Sequence, residues 1–395
     1  MPQPDDNKKN DDVKKILNAL TSNKLDKKTK PAGAGKALKN TDGKRGSNNN
    51  NLAKTVKKKK RTRRFKVFCV TLAVVFLAVV IFVGWYTERE YGWITRLLSD
   101  RGSYAGAIDG ELAVHFVDVG QGDAIIIELP DGKNMIIDGG DGKSGRKTAL
   151  HTYIEYLEIE KFDYLMLTHS DEDHVGGLVS VVEKYEISTF YVPEVSTTQV
   201  STAVYKNFVK AMDAQVANGA EKIYSSTGCS IIGEYYKIYF ITPRPADYPS
   251  SFSTAAKKNS ISPIIILEFG SFKIMFTGDA TANESEKWFI DIVDGGSWGD
   301  VSFFDVDVLK VAHHGGKDST CAAFLGIVQA EYFVICVGKG NTYKHPETVL
   351  LTRLEQSMNA NPKTDKGIFR TDENGDVLLK VNDKGDMNWK TAKAA

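Results

Sequence analysis

Apolar and polar positions fall into three regimes along the chain. Residues 1–64 hold few large apolar side chains and show no sustained period, whereas residues 67–86 run for twenty positions without a charge. From residue 111 onward, short apolar runs alternate with stretches of helical period. The spacing predicts strands at 113–117, 124–129, 135–137, 164–167, 235–241, 264–269, 273–276, 306–311 and 332–337. It predicts helices at 146–157, 175–185, 203–216, 282–290, 320–328 and 346–357. Several strands are apolar at every position, as strands covered on both faces must be, so a layered α/β fold is expected. A segment of about 270 residues is ample for one large core.

Charge separates the regimes further. The net charge of +1 conceals 20 Lys and Arg against 6 Asp and Glu over residues 1–64, and 31 against 44 over the remainder. A segment so polar cannot bury enough surface to offset its ordering entropy, which predicts a disordered basic tail over 1–64. The uncharged run is long enough to span a hydrocarbon core at about 1.5 Å per residue. Its cationic flank, ending in residues 57–64 where only Thr62 is uncharged, places the N-terminus in the cytoplasm and the rest outside the cell. The run is long for a cleaved signal, and no small-x-small site precedes Thr87.

The expected organisation is therefore a cytoplasmic tail (1–64), a transmembrane signal anchor (65–86), a juxtamembrane linker (87–110), a folded domain (111–382) and a C-terminal tail (383–395). The lipid bilayer is the partner this implies, and no obligate protein partner is evident. Cys69, Cys229, Cys321 and Cys336 show no CxxC or CxH spacing, which argues against a disulfide framework or a thiolate zinc site.

The chemistry concentrates after one apolar strand. Leu165-Met-Leu-Thr leads into His169-Ser-Asp171-Glu-Asp173-His174, five potential metal ligands within six residues, and Gly176-Gly177 follows. A solvated turn capping the next helix through Asp173 explains this composition poorly. Two further strand ends repeat the design. Residues 274–279 close in Thr277-Gly278-Asp279, and residues 308–316 close in His313-His314-Gly-Gly. Side chains at such strand ends are where α/β proteins commonly place sites.

These motifs, with Phe116-Val-Asp118-Val-Gly120-Gln-Gly122-Asp123, Ile137-Asp138-Gly-Gly, Asn259-Ser-Ile-Ser262 and Val337-Gly-Lys…His345-Pro346, resemble the C-terminal domain of the ComEC family of DNA-uptake proteins. The resemblance implies a metallo-β-lactamase fold, an αββα sandwich, with two divalent metal ions, Zn or Mn. One ion would be held by His169 and Asp171, and the other by Asp173, His174 and His313, with Asp279 bridging them. Asp138 would steady the ligand loop from behind. Periodicity does not choose between His313 and His314, since neighbours at a strand end point opposite ways; we take His313 as the ligand and leave His314 for substrate.

The chain departs from the broader fold family at two positions. Asp171 stands where histidine is usual, and residues 259–262 occupy the region that normally supplies the first ion with a third histidine. The first subsite is expected to be oxygen-rich and weak. Catalysis is expected to use a water activated by the metal, oriented by Asp173. His345, His314, Lys310, Asn259 or Ser319 would bind substrate or protonate the leaving group. His115 and His151 read as structural, and Gln121 and Asp123 as rim residues. A phosphodiester is the expected substrate, DNA first through the resemblance, although the acidic domain disfavours a polyanion. An acyl hydrolase, or a tethered binding protein without turnover, are the competing readings.

Overall fold

The computed structural model describes residues 110–296, 300–363 and 365–392. The expected tail and anchor, and the linker up to residue 109, lie outside the described residues. Among the described residues no helix is long and apolar enough to cross a membrane.

Two mixed sheets form the centre, with strands numbered in chain order. The first contains β1 (Leu112–Phe116), β2 (Ile125–Glu128), β3 (Asn134–Ile137), β4 (Lys161–Met166), β5 (Glu186–Val192) and β6 (Glu221–Tyr224). The second contains β7 (Ser230–Ile232), β8 (Tyr236–Thr242), β9 (Ile264–Phe269), β10 (Phe272–Phe276), β11 (Val308–Lys310), β12 (Tyr332–Ile335) and β13 (Gly367–Arg370). The chain then returns to the first sheet with β14 (Val377–Val381) and β15 (Met387–Thr391), giving the orders β15-β14-β1-β2-β3-β4-β5-β6 and β13-β12-β11-β10-β9-β8-β7. In each sheet antiparallel strands occupy one side and parallel strands the other: β3 to β6 in the first, β10 to β13 in the second.

Alternation along the strands explains the layers. In β2, Ile125 and Ile127 enter a core shared by the two sheets, while Ile126 faces a helical layer. In β10, Ile274 and Phe276 enter the shared core and Met275 faces the opposite helical layer. Helices Ser144–Tyr156, Leu178–Lys184 and Ala203–Ala217 cover the first sheet, and Ser285–Asp294, Ala322–Val328 and Thr348–Ala360 cover the second. The result is an αββα sandwich. Truncating one of these fully buried aliphatic side chains to alanine is worth about 2–5 kcal/mol.

Three differences from the sequence reading bear on the site. The helix expected over 175–185 is divided into Glu172–Val175 and Leu178–Lys184. A Cβ at Gly177 would lie 1.9 Å from the carbonyl oxygen of Gly139, so the glycine lets the loop after β4 press against the loop after β3. Backbone hydrogen bonds from Gly139 to His174 (2.8 Å) and from Gly177 to Gly140 (3.0 Å) lock that contact. The tail expected from 383 is instead folded as far as Thr391, because β15 pairs with β14 and Trp389 stacks on Phe369 at 4.3 Å. Finally, β5, β6, β7, β13 and β14 lie outside the strands that the sequence predicts.

Candidate metal centre

The centre assembles at the C-terminal ends of parallel strands from both sheets. After β3 comes Asp138, fully buried with a left-handed φ of 57°. Its carboxylate accepts from Thr168 N (2.8 Å) and Thr168 Oγ1 (2.6 Å) and lies 2.7 Å from His174 Nδ1. After β4 come His169, Asp171, Asp173 and His174; after β10 comes Asp279; after β11 come His313 and His314. Loops from different strands are tied together, His313 N donating to Gly278 O at 3.1 Å.

Each buried imidazole is oriented by its Nδ1. His314 Nδ1 donates to the carbonyl of Cys336 at 2.8 Å, which only accepts, so the proton sits on Nδ1 and Nε2 presents a lone pair when the ring is neutral. His174 is held likewise by Asp138. His169 Nδ1 lies 3.1 Å from Thr168 Oγ1 and 3.3 Å from Ser262 Oγ. Thr168 Oγ1 already donates to Asp138, which leaves it as an acceptor for His169. The three Nε2 atoms and Asp279 Oδ1 are buried and make no well-aligned hydrogen bond within the protein. Buried polar atoms are nearly always satisfied, so a convergent group of four that is not calls for a ligand.

That ligand is a divalent cation by the chemistry and spacing of the donors. Asp279 Oδ1 lies 3.2 Å from His174 Nε2 and 3.6 Å from His314 Nε2, and His314 Nε2 lies 3.4 Å from Asp173 Oδ2. Ligands about 2.0–2.2 Å from a tetrahedral ion are about 3.4 Å apart, so this set fits one. Asp279 Oδ2 faces the other way, 3.8 Å from His169 Nε2 and 4.0 Å from His313 Nε2. His169 Nε2 is also 3.9 Å from Asp171 Oδ2. Asp279 thus turns one oxygen toward each half of the centre. The convergent sets among the described residues include His169, His174 and Asp279, and Asp173, His174 and His314; Asp171 and His313 belong to none.

Electrostatics match this arrangement. Burial would depress the pKa of His314, but Asp279, Asp123 and Asp173 push it up to about 10. Burial likewise opposes the charge on His174, yet Asp279 and Asp138 hold its pKa well above the ordinary value. Against burial, His174 and His314 hold Asp279 well below the carboxylate range. In the ion-free protein protons therefore supply the positive charge that the carboxylates demand. His169, buried beside His174, is pushed down to about 3 and stays neutral.

The structure places the histidine pair differently from the expectation, with His314 rather than His313 in a convergent set. His314 is 1% exposed and joins Asp173 and His174; His313 has a side chain 24% exposed, with Nδ1 held by Asp318 at 3.0 Å. Both residues are left-handed, with φ of 51° and 52°. Strand alternation does not apply to such a turn, and non-glycine residues there cost about 1–3 kcal/mol each, strain that collects at functional sites.

Two expected substrate-binding residues sit elsewhere. Lys310 is fully buried, paired with Asp123 and donating to Gly278 O at 3.3 Å, so it supports the floor of the centre. Ser319 is also fully buried, with Oγ donating to the carbonyls of Ala312 and Gly316 at 2.9 Å. The Lys310 ammonium and the Asp123 carboxylate are both buried, and each compensates the charge of the other. Asn259 lies inside the centre: oriented to satisfy both ends of its amide, it donates to Asp171 Oδ2 at 3.2 Å and accepts from His313 Nε2 at 3.3 Å. His345 is half-buried, its ring edge-on to His313 at 5.4 Å and stacked with Tyr343 at 5.8 Å.

A cavity of about 340 Å³ opens beside Asp173, lined among others by Lys143, Arg146, Glu172, Lys339 and Tyr343. Asp141 pairs with both Lys143 and Arg146. Of these, Lys143, Arg146 and Tyr343 lie outside the sequence expectation, as does Asp318; exposed cations and aromatics carry no periodic signal that separates a cavity wall from ordinary surface.

Residues 117–233 match the metallo-beta-lactamase superfamily. The chain is similar to ComE operon protein 3 of Bacillus subtilis, 24% identical over 293 residues, covering 70% of this chain and 34% of that protein. It is also similar to Recombination protein 2 of Haemophilus influenzae, 27% identical over 253 residues, covering 64% and 27%. Among solved structures, Igni18, a metallo hydrolase from Ignicoccus hospitalis, aligns with a TM-score of 0.39 and 14% identity, covering 72% of this chain and 100% of that one. The chain spans about a third of the length of the curated relatives it matches. On domain match, relatives and motif order together, the chain is a ComEC-like protein with a metallo-β-lactamase fold.

Proposed function

We propose that this chain is a metal-dependent phosphodiesterase tethered to the outer face of a membrane. The observation that carries the reading is the convergence of three unpartnered Nε2 atoms on the two oxygens of Asp279. Asp173, His174, His314 and Asp279 would hold one divalent ion, and His169, Asp171 and Asp279 a second, with Zn and Mn both suited to mixed nitrogen and oxygen donors. An ion held there supplies Lewis-acid polarisation and lowers the pKa of water toward neutrality.

The chain's own groups divide the remaining work. Asp173, partly exposed at the mouth of the cavity, accepts a hydrogen bond from an attacking water and orients it. His313 faces the centre with Nε2 while Asp318 holds Nδ1, and it carries a proton there for the leaving oxygen. His345 lies beside it at the rim. Lys143, Arg146 and Lys339 line the cavity but are offset there by Asp141, Glu172 and Asp173, so the preference for a phosphodiester over a neutral lactone rests on the charge that a bound metal ion would add. The uncharged run 67–86 with its cationic flank supports the membrane anchor, and protease treatment of intact cells should digest the domain while sparing residues 57–64.

The deciding assay compares bis-p-nitrophenyl phosphate with a lactone, using the full chain stripped of metal and resupplied with Mn or Zn. Metal-dependent release from the phosphodiester is expected. Preference for the lactone would establish an acyl hydrolase instead, and no turnover on either substrate with either metal would favour a tethered binding protein.

A further inference from the structure

We infer that the ammonium of Lys258 stands in for a metal ion at Asp171, so that the chain holds one ion tightly, on Asp173, His174, His314 and Asp279, and admits a second only by displacing this lysine. The inference rests on the metal reading of the centre and specifies its occupancy.

The geometry of the two halves carries it. Lys258 Nζ contacts Asp171 Oδ1, and both side chains are mostly buried, at 19% and 16% exposure. Asp171 Oδ2 receives the Asn259 amide, so both of its oxygens are already engaged by protein donors. The lysine is delivered by design of the local chain: the short helix Ala255–Asn259 starts at Thr254, whose side chain accepts from Lys257 N at 3.4 Å. Its last residue, Asn259, is buried between Asp171 and His313. Lys257 points elsewhere, its Nζ donating to Ser251 Oγ at 3.2 Å.

With His313 Nε2 donating to the Asn259 amide oxygen, the donors left for an ion in this half are His169 Nε2 and Asp279 Oδ2, 3.8 Å apart, and Asp171 joins no convergent set among the described residues. The other half brings together four donor groups, and among the described residues no lysine or arginine pairs with Asp173 or Asp279 there; only the protons of His174 and His314 must leave. An ion entering beside Asp171 must break an ion pair whose partners are both largely out of water. Removing one member of such a pair leaves a buried charge without compensation. Deleting the lysine therefore leaves a carboxylate that recruits a cation, and the nearest available donors are those of the first subsite.

The test measures metal content of the full chain after dialysis against micromolar Zn or Mn, together with calorimetric titration. One ion per chain is expected for the wild type. Lys258→Met is expected to hold close to two, its second ion tightened by about tenfold or more, roughly the worth of one charge-assisted hydrogen bond. Lys258→Arg keeps the charge and should stay at one. Asp171→Asn, in the wild-type background, should leave the affinity of the tight ion within about twofold, and this arm does not depend on the folding of the lysine variants. Two ions of like affinity in the wild type, an unchanged count in a folded Lys258→Met, or loss of the tight ion in Asp171→Asn would each overturn the inference. Absence of any ion in the wild type would overturn it together with the metal reading itself.

Discussion

The two halves of the centre share Asp279 yet differ in how their donors are held. In the half built on Asp173, His174 and His314, both imidazoles have Nδ1 bound to an acceptor, Asp138 or the Cys336 carbonyl, and donor separations run from 3.2 to 3.6 Å. In the half built on His169 and Asp171, the Nδ1 partners are hydroxyls, the separations are 3.8 and 3.9 Å, and Lys258 occupies a carboxylate. Ligand identity alone does not make a strong site. The atoms behind the ligands decide which donors are free, which tautomer they adopt and how closely they approach.

Substitutions within the ligand loop test that contrast most strongly. Asp173→Asn keeps the size of the side chain but removes the charge that faces His314 and the cavity; kcat/KM should fall by about 10²-fold or more, roughly 2.7 kcal/mol of transition-state stabilisation. Glu172→Gln, on the exposed neighbour that lines the cavity without facing the donor atoms, should change kcat/KM far less than Asp173→Asn. Steady-state kinetics on a phosphodiester with both metals checks the pair, and equal activity would remove Asp173 from the reaction.

The supports behind the ligands come next. Asp138→Asn weakens the hold on His174 Nδ1, and metal affinity should drop by about 10- to 100-fold. Ser262→Ala removes a hydroxyl that lies behind His169 and also accepts from Asp279 N at 3.1 Å, and it should weaken the tight ion by clearly less than Asp138→Asn does. Competition with a chromogenic chelator measures both. Similar losses would show that the two halves bind as one unit.

The smallest effect concerns the brace of the loop that follows His314. Glu286 is fully buried and accepts from the backbone of Thr320 and, at 2.8 Å, of Cys321. Burial raises its pKa to about 7 from 4.5, despite those donors. The folded protein keeps this proton between the two values while the unfolded chain releases it. Stability from Glu286 is thus fully present below the unfolded value and declines as pH rises toward about 7. Relative to Glu286→Gln, the wild type should lose about 1 kcal/mol between pH 5.5 and 6.5. Urea midpoints of both proteins across that range provide the measurement, and parallel curves would contradict the assignment.

Much of this centre is legible in the sequence because strand ends followed by ligand-type residues leave a local signature: 165–174, 274–279 and 308–314 each pair an apolar run with His or Asp. The αββα layering is legible for the same reason, since a strand such as β12 is apolar and buried at every position. What escaped depends on contacts remote in sequence. Lys310 and Ser319 lie beside ligands in sequence yet are turned into the core, where Asp123 and two carbonyls receive them. His314 rather than His313 is buried against Asp173 and Asp279 because two left-handed residues turn the chain after β11. β15 is recognisable only once Phe369 supplies a surface for Trp389.

The central claim is that His314, and not its neighbour, anchors the tight ion. The most direct measurement is the metal content of the full chain carrying His314→Ala or His313→Ala, dialysed against the same limiting metal, with circular dichroism to verify folding. The account predicts that His314→Ala loses the ion while His313→Ala retains it and loses rate. An ion retained in His314→Ala and lost in His313→Ala would contradict it.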